Sequence, residues 1–477
     1  MIPAAAPPIP VVQPLSSSAP RYVRLRLDVV AYGVPGHGEL LIDRETGRFV
    51  RRFTTGPTSE QQGFDGTRAW LADATGMPRI QGNVDQRGAI AAASYVFARA
   101  PRPASLAFAR GVPRLTFAGV SRPIDVASGG RRGFVGRVVQ PVGEDLIELR
   151  FDDYRSAAGL RLPFAFSQRS NNGVWRARVR AVEPLRSVPA AVFAPPEPPR
   201  DATLTATTRL TIGADNAVEV RIDGGQPLRF MVDTGGQNVI TPQAARRLDL
   251  DVVGAGRVGG AGAAIEPVRF TRVRSLRVGA AELRDQPFLV LALGAGAPFD
   301  GIIGYELFAR FAARLDLEHR TLELAPSAAA FGNGTAVPMA FDDRQPQVEG
   351  AIDGLPGAFT LDTGSAEGVD LGTPFVRAHD LARRYPVGAR MMLYNGLGGE
   401  VDGWLTRGKE LRLGPVVTRD VRLALTDARA GVEIDPSTAG NVGDLVLRRF
   451  VIVFDYRRGV LRFETSWNRR RAATSQP

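Results

Sequence analysis

The sequence predicts a mainly β protein, with two repeated lobes in its C-terminal half and an antiparallel curved sheet with one or two helices in front of them. Three observations lead to this expectation. From residue 21 onward, apolar and polar residues alternate in short runs between glycine turns, which is typical of half-buried strands. A proline-rich segment interrupts the chain at 189–202. After it, one strand-and-turn motif appears twice, at 230–236 and 359–365.

Composition excludes several kinds of chemistry. The chain has 477 residues, enough for several domains and a large core. It has no cysteine, which excludes disulfides, thiolate metal sites and a cysteine nucleophile. Its three histidines are far apart in sequence, so neither a histidine metal cage nor a Ser-His-Asp triad is expected. We therefore expect no metal and no cofactor.

The net charge of +11 comes almost entirely from arginine. A strongly basic protein can bind nucleic acid or an anionic membrane. Here the arginines are spread along the chain, and their only run of three lies at 469–471 in the polar tail. We therefore expect no nucleic acid partner.

The first part of the chain divides by composition. Residues 1–20 are rich in proline, alanine and serine and are expected to be disordered. Residues 21–188 are expected to form the curved-sheet domain. Within it, residues 22–30 alternate as one strand, a glycine turn is predicted at 36–38, and residues 86–99 are predicted to be a helix.

The proline-rich segment is the clearest predicted boundary. Five of its first twelve residues are proline, which favours an extended, semi-rigid spacer, so 189–202 is predicted to be a linker. Two lobes are expected to follow, at 203–327 and 328–466. A basic polar tail, 467–477, ends the chain.

The repeat begins with an apolar strand that runs into Asp-Thr-Gly. The first copy presents Asp233 and the second presents Asp362. Downstream, each copy has a Thr-Pro pair, at Thr241 and at Thr373. Threonine followed by proline is typical of a helix start with threonine as the N-cap, so a short helix is predicted after each motif.

The far ends of the two copies also correspond. Alignment of Gly304 with Gly443 sets Phe311 against Phe450 without a gap. A single Asp-Thr-Gly is usually only a turn with a satisfied aspartate. Two copies with matching strands, helices and closing segments indicate an internal duplication.

Residues 203–466 resemble the aspartic peptidases, in particular the retropepsin-like group, here with two lobes in one chain as in pepsin-like enzymes. The resemblance rests on the two Asp-Thr-Gly motifs and on the apolar segments that support them, 302–304 and 441–443. It implies two six-stranded-type lobes related by a pseudo-twofold axis. It also implies that Asp233 and Asp362 form a catalytic pair.

The chemistry implied by this resemblance is metal-free hydrolysis of peptide bonds by an aspartic endopeptidase. Aspartic peptidases are the standard example of two carboxylates, about 3 Å apart, that share one proton because both cannot be ionised. One carboxylate takes a proton from a water molecule and the other protonates the substrate. Because the titration belongs to the pair, the sequence does not assign the proton to either aspartate.

The resemblance also implies a set of residues around the substrate. The threonines are expected to cross-bond the two loops, and the glycines to keep side chains away from the water. Glycine-rich segments at 254–262 and 394–400 are expected to be flaps over an extended peptide, with two merely loose loops as the alternative. The predicted substrate-binding residues are Thr234, Gly235, Gly236, Thr363, Gly364, Ser365, Gly259, Gly260, Gly398 and Gly399.

The chain departs from the family pattern at three places. Gly236 stands where a hydroxyl or alanine commonly follows Asp-Thr-Gly, whereas Ser365 keeps the hydroxyl, so the two carboxylates are expected to have unequal outer hydrogen bonds. Asn441 interrupts an apolar pair and puts the burial of that strand in question. Asp370 is expected to be solvated or to cap a helix, with perturbation of the catalytic pair as the alternative.

Residues 21–197 resemble the curved-sheet domain of bacterial lipoprotein carriers. The resemblance rests on the meander rhythm, on Gly-Phe-Asp-Gly and Ala-Trp within 63–70, and on the segment 159–163. It implies a concave sheet that holds an acyl chain, and a plain accessory sheet is the alternative. It favours an extracytoplasmic, periplasmic bacterial protein whose signal peptide is absent from this chain, with a cytoplasmic location as the alternative.

Two functions therefore remain open. The first is an aspartic endopeptidase that acts on a peptide or protein substrate, as a monomer because both lobes lie in one chain. The second is a non-catalytic peptide- or lipoprotein-binding protein that uses the same cleft. Retention of both Asp-Thr-Gly motifs argues against the second, since a protein without turnover has no chemical need for both.

Overall fold

The chain divides into two compact units in the computed structural model. The first comprises residues 1–198 together with Val253–Gly256, and the second comprises the rest. The predicted helix at 86–99, most of the segment 1–20 and the tail 467–477 lie outside the described residues. The residues that the structure describes are 19–81, 105–109, 112–116, 123–129, 134–294, 296–332 and 334–465.

The described residues of the first unit form a 13-stranded sheet in which every neighbouring pair of strands is antiparallel. The strand order is β6-β5-β4-β3-β2-β1-β13-β12-β11-β10-β9-β8-β7, so each strand neighbours the next in sequence except β6 and β7, which form the two edges, and β1 also pairs with β13. The predicted mainly β class is confirmed. The strands are β1 (Tyr22–Ala31), β2 (Val34–Asp43), β3 (Phe49–Thr54), β4 (Glu60–Phe64), β5 (Ala69–Ala72), β6 (Pro78–Ile80), β7 (Ser105–Ala109), β8 (Val112–Thr116), β9 (Ile124–Gly129), β10 (Phe134–Val142), β11 (Asp145–Ala157), β12 (Leu160–Ser170) and β13 (Gly173–Leu185).

The alternation predicted for residues 22–30 appears in β1. Val23, Leu25, Leu27 and Val29 are all buried, whereas the polar residues between them are not. Successive side chains of a strand point to opposite faces, so this pattern places one face of β1 on the core.

The glycine turn predicted at 36–38 is wrong, because these residues lie inside β2. The chain turns earlier, at Tyr32 and Gly33, which both have positive φ. A Cβ on Gly36 would lie 2.1 Å from the carbonyl oxygen of Thr54 on the next strand. Glycine is therefore needed at this point for the close approach of two strands and not for a turn.

The first half of the predicted linker is not an extended spacer. Ala190–Phe193 forms a 3-10 turn, and Phe193 is fully buried. The indole Nε1–H of Trp70 donates to the Phe193 carbonyl oxygen at 2.9 Å. An apolar side chain among the prolines thus anchors this segment to the sheet of the first unit.

A small cavity lies in the first unit, and Arg51 is its main charged group. The Arg51 guanidinium lies 4.4 Å from the ring centre of Trp175 and forms an ion pair with Glu60. The cavity volume is about 30 Å³. The lining residues are Leu40, Phe49, Arg51, Gln62, Leu149, Phe151, Phe166 and Trp175.

The described part of the second unit contains two eight-stranded sheets and one six-stranded sheet. The first eight-stranded sheet has the order β14-β21-β18-β22-β17-β16-β20-β19, and the second has the order β26-β27-β28-β33-β29-β32-β31-β30. Their strands and those of the six-stranded sheet are β14 (Ala202–Thr203), β15 (Thr208–Thr211), β16 (Ala217–Ile222), β17 (Leu228–Val232), β18 (Val239–Ile240), β19 (Val253–Val258), β20 (Glu266–Val278), β21 (Ala281–Val290), β22 (Gly301–Ile303), β23 (Ala312–Asp316), β24 (Thr321–Ala325), β25 (Thr335–Pro338), β26 (Ala340–Asp342), β27 (Gln345–Ile352), β28 (Leu355–Leu361), β29 (Val369–Leu371), β30 (Met391–Gly396), β31 (Gly399–Leu413), β32 (Val416–Thr426), β33 (Gly440–Val442), β34 (Phe450–Asp455) and β35 (Val460–Thr465).

The two eight-stranded sheets repeat one pairing pattern. In the first, β22 is parallel to β17 and antiparallel to β18, which is parallel to β21. In the second, β33 is parallel to β28 and antiparallel to β29, which is parallel to β32. Val232 lies opposite Ile303 as Leu361 lies opposite Val442. The sequence duplication is therefore also a duplication of strand pairing.

The six-stranded sheet contains strands from both halves of the repeat, in the order β15-β24-β23-β34-β35-β25. Its central pair is β23 with β34. Each half has its own sheet of eight strands, and not the expected six, because short strands such as β14 and β26 extend the edges. No helix among the described residues is long and apolar enough to cross a membrane.

Helices in the second unit are short. The helix after the first Asp-Thr-Gly motif begins as predicted, since the Thr241 hydroxyl caps it by accepting from the backbone N–H of Ala244 at 3.2 Å. The helices are Pro242–Arg247, Tyr305–Phe308, Thr373–Ala378, Leu381–Arg384 and Asp444–Leu447, and the 3-10 turns of both units are Gly56–Thr58, Ala190–Phe193, Ala328–Ala330, Val432–Ile434 and Tyr456–Arg458.

The predicted N-cap of the second repeated helix is wrong. Gly372 is the N-cap, and Thr373 is the first residue of the helix. The Thr373 hydroxyl lies 3.0 Å from the Thr426 hydroxyl and accepts from the Ala428 backbone N–H at 2.8 Å. This side chain is buried against the end of β32, so its hydroxyl serves the strand and not the helix.

Candidate active site

The two Asp-Thr-Gly motifs leave equivalent strands. Asp233 follows β17 directly, and Asp362 follows β28. The backbone N–H of Asp233 donates to the Ile303 carbonyl oxygen, and that of Asp362 to the Val442 carbonyl oxygen, each at 3.0 Å. The segments predicted to support the loops thus hold the backbone of each aspartate.

The side chains of Asp233 and Asp362 face each other, with their carboxyl groups in hydrogen-bond contact. A Cβ on Gly235 would lie 2.7 Å from Cγ of Asp362, and a Cβ on Gly364 would lie 2.7 Å from Cγ of Asp233. Each loop glycine therefore gives room to the carboxyl group of the opposite loop, which no other residue type could do without a clash.

Backbone donors point at both carboxyl groups. The N–H of Gly235 donates to Oδ1 of Asp233 at 2.9 Å, and the N–H of Gly364 donates to Oδ1 of Asp362 at 2.7 Å. Burial, together with the neighbouring Asp362 carboxyl group, raises the pKa of Asp233 well above its ordinary value. One proton on the pair is therefore retained to a higher pH than an isolated aspartate would retain it.

The two threonines of the motifs link the loops by hydrogen bonds. Each backbone N–H, of Thr234 and of Thr363, donates to the hydroxyl of the other at 3.1 Å. The Thr234 hydroxyl donates to the Leu361 carbonyl oxygen at 2.8 Å, and the Thr363 hydroxyl to the Val232 carbonyl oxygen at 2.9 Å. Both threonines are buried, so they position the aspartates and do not face the cleft.

The residues that follow the two motifs differ, since the first is a glycine and the second carries a hydroxyl group. A Cβ on Gly236 would lie 2.5 Å from Oδ2 of Asp233, so the first loop has no room for a side chain there. In the second loop the Ser365 hydroxyl donates to Oδ2 of Asp370 at 3.2 Å. The expected serine hydroxyl is therefore present but directed at Asp370.

A residue that the motif did not predict contacts the second aspartate. Nδ2 of Asn441 donates to Oδ2 of Asp362 at 2.8 Å. The strand β33 that carries it is well enclosed, since its neighbours Gly440 and Val442 are buried. The repeat alignment could have indicated this contact, because Asn441 occupies the position of Ile302 in the first half.

The prediction that Asp370 is solvated or caps a helix is wrong. Asp370 is 3% exposed in the middle of β29, opposite Asn441 on β33. Burial, with Glu433 and Glu367 nearby, raises the pKa of Asp370 well above its ordinary value. Burial also raises the pKa of Glu433 to about 7, although the Tyr394 hydroxyl donates to its Oε1 at 2.7 Å. No local sequence pattern indicates this buried acidic group, because its members come together only through strand pairing.

Two further side chains brace the loops from outside the motifs. Nδ2 of Asn216 donates to the Thr363 carbonyl oxygen at 3.3 Å and to Oδ2 of Asp444. The Tyr456 hydroxyl donates to the Thr234 carbonyl oxygen at 3.3 Å. Burial raises the pKa of Asp444 to about 6. None of these residues belongs to a recognisable motif.

The two glycine-rich segments meet each other. The N–H of Gly262 donates to the Leu397 carbonyl oxygen at 2.9 Å, and the N–H of Ala264 donates to the Gly398 carbonyl oxygen at 2.8 Å. The Leu397 side chain packs onto an apolar cluster of the first half, here called the Leu397 cluster. Its other members are Val239, Val258, Val268, Phe270, Leu289, Leu291, Leu293 and Ile302.

The four glycines predicted to be flap residues have different surroundings. A Cβ on Gly260 would lie 2.6 Å from Leu397, and one on Gly398 would lie 2.5 Å from the Ala264 carbonyl oxygen. Gly259 and Gly399 face open space. Gly260 and Gly398 therefore lie in the contact between the segments, and the Gly399 backbone also takes part, since a Cβ on Gly262 would lie 2.3 Å from its nitrogen.

A polar cleft of about 260 Å³ lies beside the paired segments. Arg390 crosses it, with ion pairs to Asp402 at 3.0 Å and to Asp427 at 3.1 Å. Neither Asp233 nor Asp362 lines this cleft. Its lining residues are Ala261, Ala263, Arg390, Glu400, Val401, Asp402, Asp427, Ala428, Arg429 and Ala430.

Part of the second unit matches a known protein family. Residues 218–307 match the family model described as aspartyl protease. This segment is an aspartyl protease-like domain. The match covers Asp233, β22 and the helix start at Gly304, whereas Asp362 lies outside it. Comparison with curated proteins found no match.

The aspartyl protease-like domain contributes one carboxyl group of the facing pair, and the second half of the repeat contributes the other. A partly exposed carboxyl pair with shared hydrogen bonding can exchange protons with a water molecule between them. The coarse function indicated by the match is therefore that of an aspartyl protease, a hydrolase.

Proposed function

We propose that the protein is an aspartic endopeptidase in which Asp233 and Asp362 activate the water that hydrolyses a peptide bond. The observation that carries this proposal is the contact between the two carboxyl groups, which come from equivalent loops of the repeat. The buried hydrogen bonds between Thr234 and Thr363 support it, since they hold both loops in one geometry.

The reaction needs one ionised and one protonated carboxyl group. The ionised group takes a proton from the water molecule, whose oxygen forms a bond to the peptide carbonyl carbon. The protonated group gives its proton to the carbonyl oxygen. The carboxyl group that took the proton from water then gives it to the nitrogen as the carbon–nitrogen bond breaks, while a hydroxyl of the tetrahedral intermediate returns a proton to the other carboxylate. The products are a carboxylic acid and an amine, and the pair regains its starting protonation.

We propose an extended peptide or protein segment as the substrate, bound beneath the glycine-rich segments. A peptide in this position can pair its backbone with them as an added strand does. The segments contact each other through Gly262 and Leu397, so they must separate before a peptide can enter. The polar cleft around Arg390 suits a polar side chain of such a peptide.

For the protein as a whole we propose a monomer that acts outside the cytoplasm without a nucleic acid partner. The location rests on the resemblance of residues 21–197 to lipoprotein carriers. An acyl chain in the first unit would need more room than the cavity of about 30 Å³. Mass spectrometry of lipids extracted from the purified protein tests this part of the proposal.

Cleavage of a peptide library by Asp233→Asn, Asp362→Asn and the double variant tests the peptidase proposal. Because the two carboxyl groups act as one unit, we expect each single variant to lose activity as fully as the double variant. A statine-type transition-state mimic should inhibit the parent protein. The exposed Asp251, changed to Asn, is the matched control and should retain activity.

Undiminished cleavage by either single variant would overturn the assignment of that aspartate. If the parent protein binds peptides but cleaves none between about pH 3 and pH 8, the non-catalytic alternative replaces the proposal.

A further inference from the structure

We propose that Asn441 is a positioning residue that assigns different roles to the two aspartates. It stabilises Asp362 as the ionised group that takes the proton from water, which leaves Asp233 as the group that carries the proton. This inference rests on the proposed peptidase function and specifies how its two carboxyl groups are distinguished.

The two halves of the repeat give their aspartates different donors. Asp362 accepts two N–H groups, one from Gly364 at 2.7 Å and one from Asn441 at 2.8 Å. On the other side, Asp233 accepts from backbone N–H groups only, those of Gly235 at 2.9 Å and of Gly236, and the residue equivalent to Asn441 is Ile302, whose side chain has no hydrogen-bonding group. A side-chain amide that donates to a carboxylate favours its ionised form.

The position of the amide is fixed by the strand that carries it. Asn441 lies on β33 between β28 and β29, opposite Thr360 on one side and Asp370 on the other. Its neighbours Gly440 and Val442 are buried. Pairing on both sides of β33 therefore fixes the backbone position from which the Asn441 side chain reaches Asp362.

The orientation of the amide is linked to the proton on Asp362. With Nδ2 directed at Asp362, the Oδ1 atom of Asn441 is buried and has no hydrogen-bond partner among the described residues. Rotation of the amide would place Oδ1 beside the Asp362 carboxyl oxygen. Two acceptors attract each other only if a proton lies between them, so this reversed arrangement requires a protonated Asp362.

The residues that follow the two motifs give neither aspartate a further side-chain donor. The Ser365 hydroxyl is directed at Asp370 and not at Asp362. Gly236 has no side chain, and its site beside Asp233 has no room for one. Asn441 is therefore the side chain that distinguishes the outer oxygen of Asp362 from that of Asp233.

Other titratable groups act on Asp362, and the comparison of variants must leave them unchanged. They are the carboxyl groups of Asp233, Asp370, Glu433 and Asp444 and the hydroxyls of Tyr394 and Tyr456. Exchange of the residues at 441 and 302 retains all of them. A difference between variants then reports on the amide.

The pH dependence of kcat/KM tests the proposal in Asn441→Ile, which gives the second half the residue of the first. Loss of a donor to an ionised carboxylate makes ionisation harder, so we expect the acidic limb of the profile to move upward by about one pH unit. At a pH below this limb, kcat/KM should be about tenfold lower than in the parent protein.

The reciprocal variant, Ile302→Asn, offers Asp233 a side-chain amide donor like the one that Asn441 gives Asp362. We expect its acidic limb to move to lower pH. In the double variant the donor is transferred from one aspartate to the other, so the limb should return close to the parent position. This series does not depend on the folding of Asn441→Ile alone.

Thermal unfolding gives a readout that needs no turnover. If Asn441 stabilises an ionised carboxylate, the loss of stability in Asn441→Ile should be greater near pH 7 than near pH 4. A purely structural role gives a loss that does not vary with pH. Thr438→Val is the matched control. Thr438 lies on the same segment as Asn441, but its hydroxyl donates to the Ala358 carbonyl oxygen on β28 and not to an aspartate of the pair.

An acidic limb that stays in place or moves to lower pH in Asn441→Ile overturns the proposed role, and the peptidase function stands if both Asp→Asn variants are inactive. If the parent protein cleaves nothing, the peptidase function fails, and the pH dependence of unfolding alone decides whether Asn441 stabilises an ionised carboxylate.

Discussion

Thr234 and Thr363 exchange backbone and side-chain hydrogen bonds across the two halves of the repeat. Each hydroxyl accepts from the other residue's N–H at 3.1 Å and donates to a carbonyl oxygen of the opposite strand. Both residues are buried, at 0% and 2% exposure. Because each threonine satisfies backbone groups of the other half, the position of one aspartate depends on the loop that carries the other.

We expect Thr234→Val and Thr363→Val each to lower the free energy of unfolding by about 2 to 4 kcal/mol. Each change leaves buried backbone groups without partners, and an unsatisfied buried group costs about 1 to 3 kcal/mol. The double variant should lose less than the sum of the two, because the residues share their bonds. Urea unfolding of the second unit measures all three values.

Thr211→Val is the control, since Thr211 is exposed on β15 and should change stability by less than about 0.5 kcal/mol. Additive losses in the double variant would contradict the reciprocal arrangement.

Glu433 is expected to make the protein less stable as the pH rises. Its pKa is raised to about 7 by burial, so between about pH 5 and pH 7 the folded protein binds a proton that the unfolded chain releases. The free energy of unfolding therefore falls as pH increases through this window. We expect Glu433→Gln, which keeps an acceptor for Tyr394, to remove on the order of 3 kcal/mol of this decline.

Denaturant unfolding at several pH values measures this difference. The exposed Glu349 on β27, changed to Gln, should leave the pH dependence as in the parent protein. A parallel decline in Glu433→Gln and the parent protein would show that Glu433 is not its source.

Leu397 is expected to keep the two glycine-rich segments together. Its side chain packs onto the Leu397 cluster, while its carbonyl oxygen accepts from the N–H of Gly262. Leu397→Ala removes apolar contact and should favour opening. We expect amide hydrogen exchange at Gly262 and Ala264 to become about tenfold faster, which corresponds to about 1.4 kcal/mol.

Met391→Ala is the control for this change, since Met391 lies on the same hairpin but is 50% exposed. Its exchange rates at the two amides should match the parent protein. Unchanged rates in Leu397→Ala would mean that the apolar packing does not hold the segments.

Local patterns predicted much of what the structure contains. Alternation identified β1, and the Thr-Pro pair identified the helix capped by Thr241. The same local reasoning failed at Gly36, where the glycine serves close strand approach, and at Thr373, whose hydroxyl bonds to another strand. In both cases the deciding contact comes from a residue distant in sequence.

The acidic surroundings of the aspartate pair show the same limit. From the sequence, Asp370 is expected to be a polar residue near the start of a helix. In the structure it is buried, because its strand β29 lies between β32 and β33. Glu433 has no motif of its own. Their raised pKa values depend on desolvation and on neighbouring carboxyl groups, and both arise only when the strands are paired.

The sequence by itself determined the duplication and the two Asp-Thr-Gly loops. Each strand, turn and supporting segment of the repeat is a short run of consecutive residues, so its pattern can be recognised without the tertiary structure. Tertiary structure decided which side chain makes the two carboxyl groups differ, since the serine hydroxyl after the second motif bonds to Asp370 and the Asn441 amide bonds to Asp362. The contact of Asn441 with Asp362 follows from which side chains the paired strands bring within hydrogen-bond distance, and at the equivalent position of the first half the apolar Ile302 packs in the Leu397 cluster. Such distances of about 3 Å between residues far apart in the chain are set by packing and not by any local pattern.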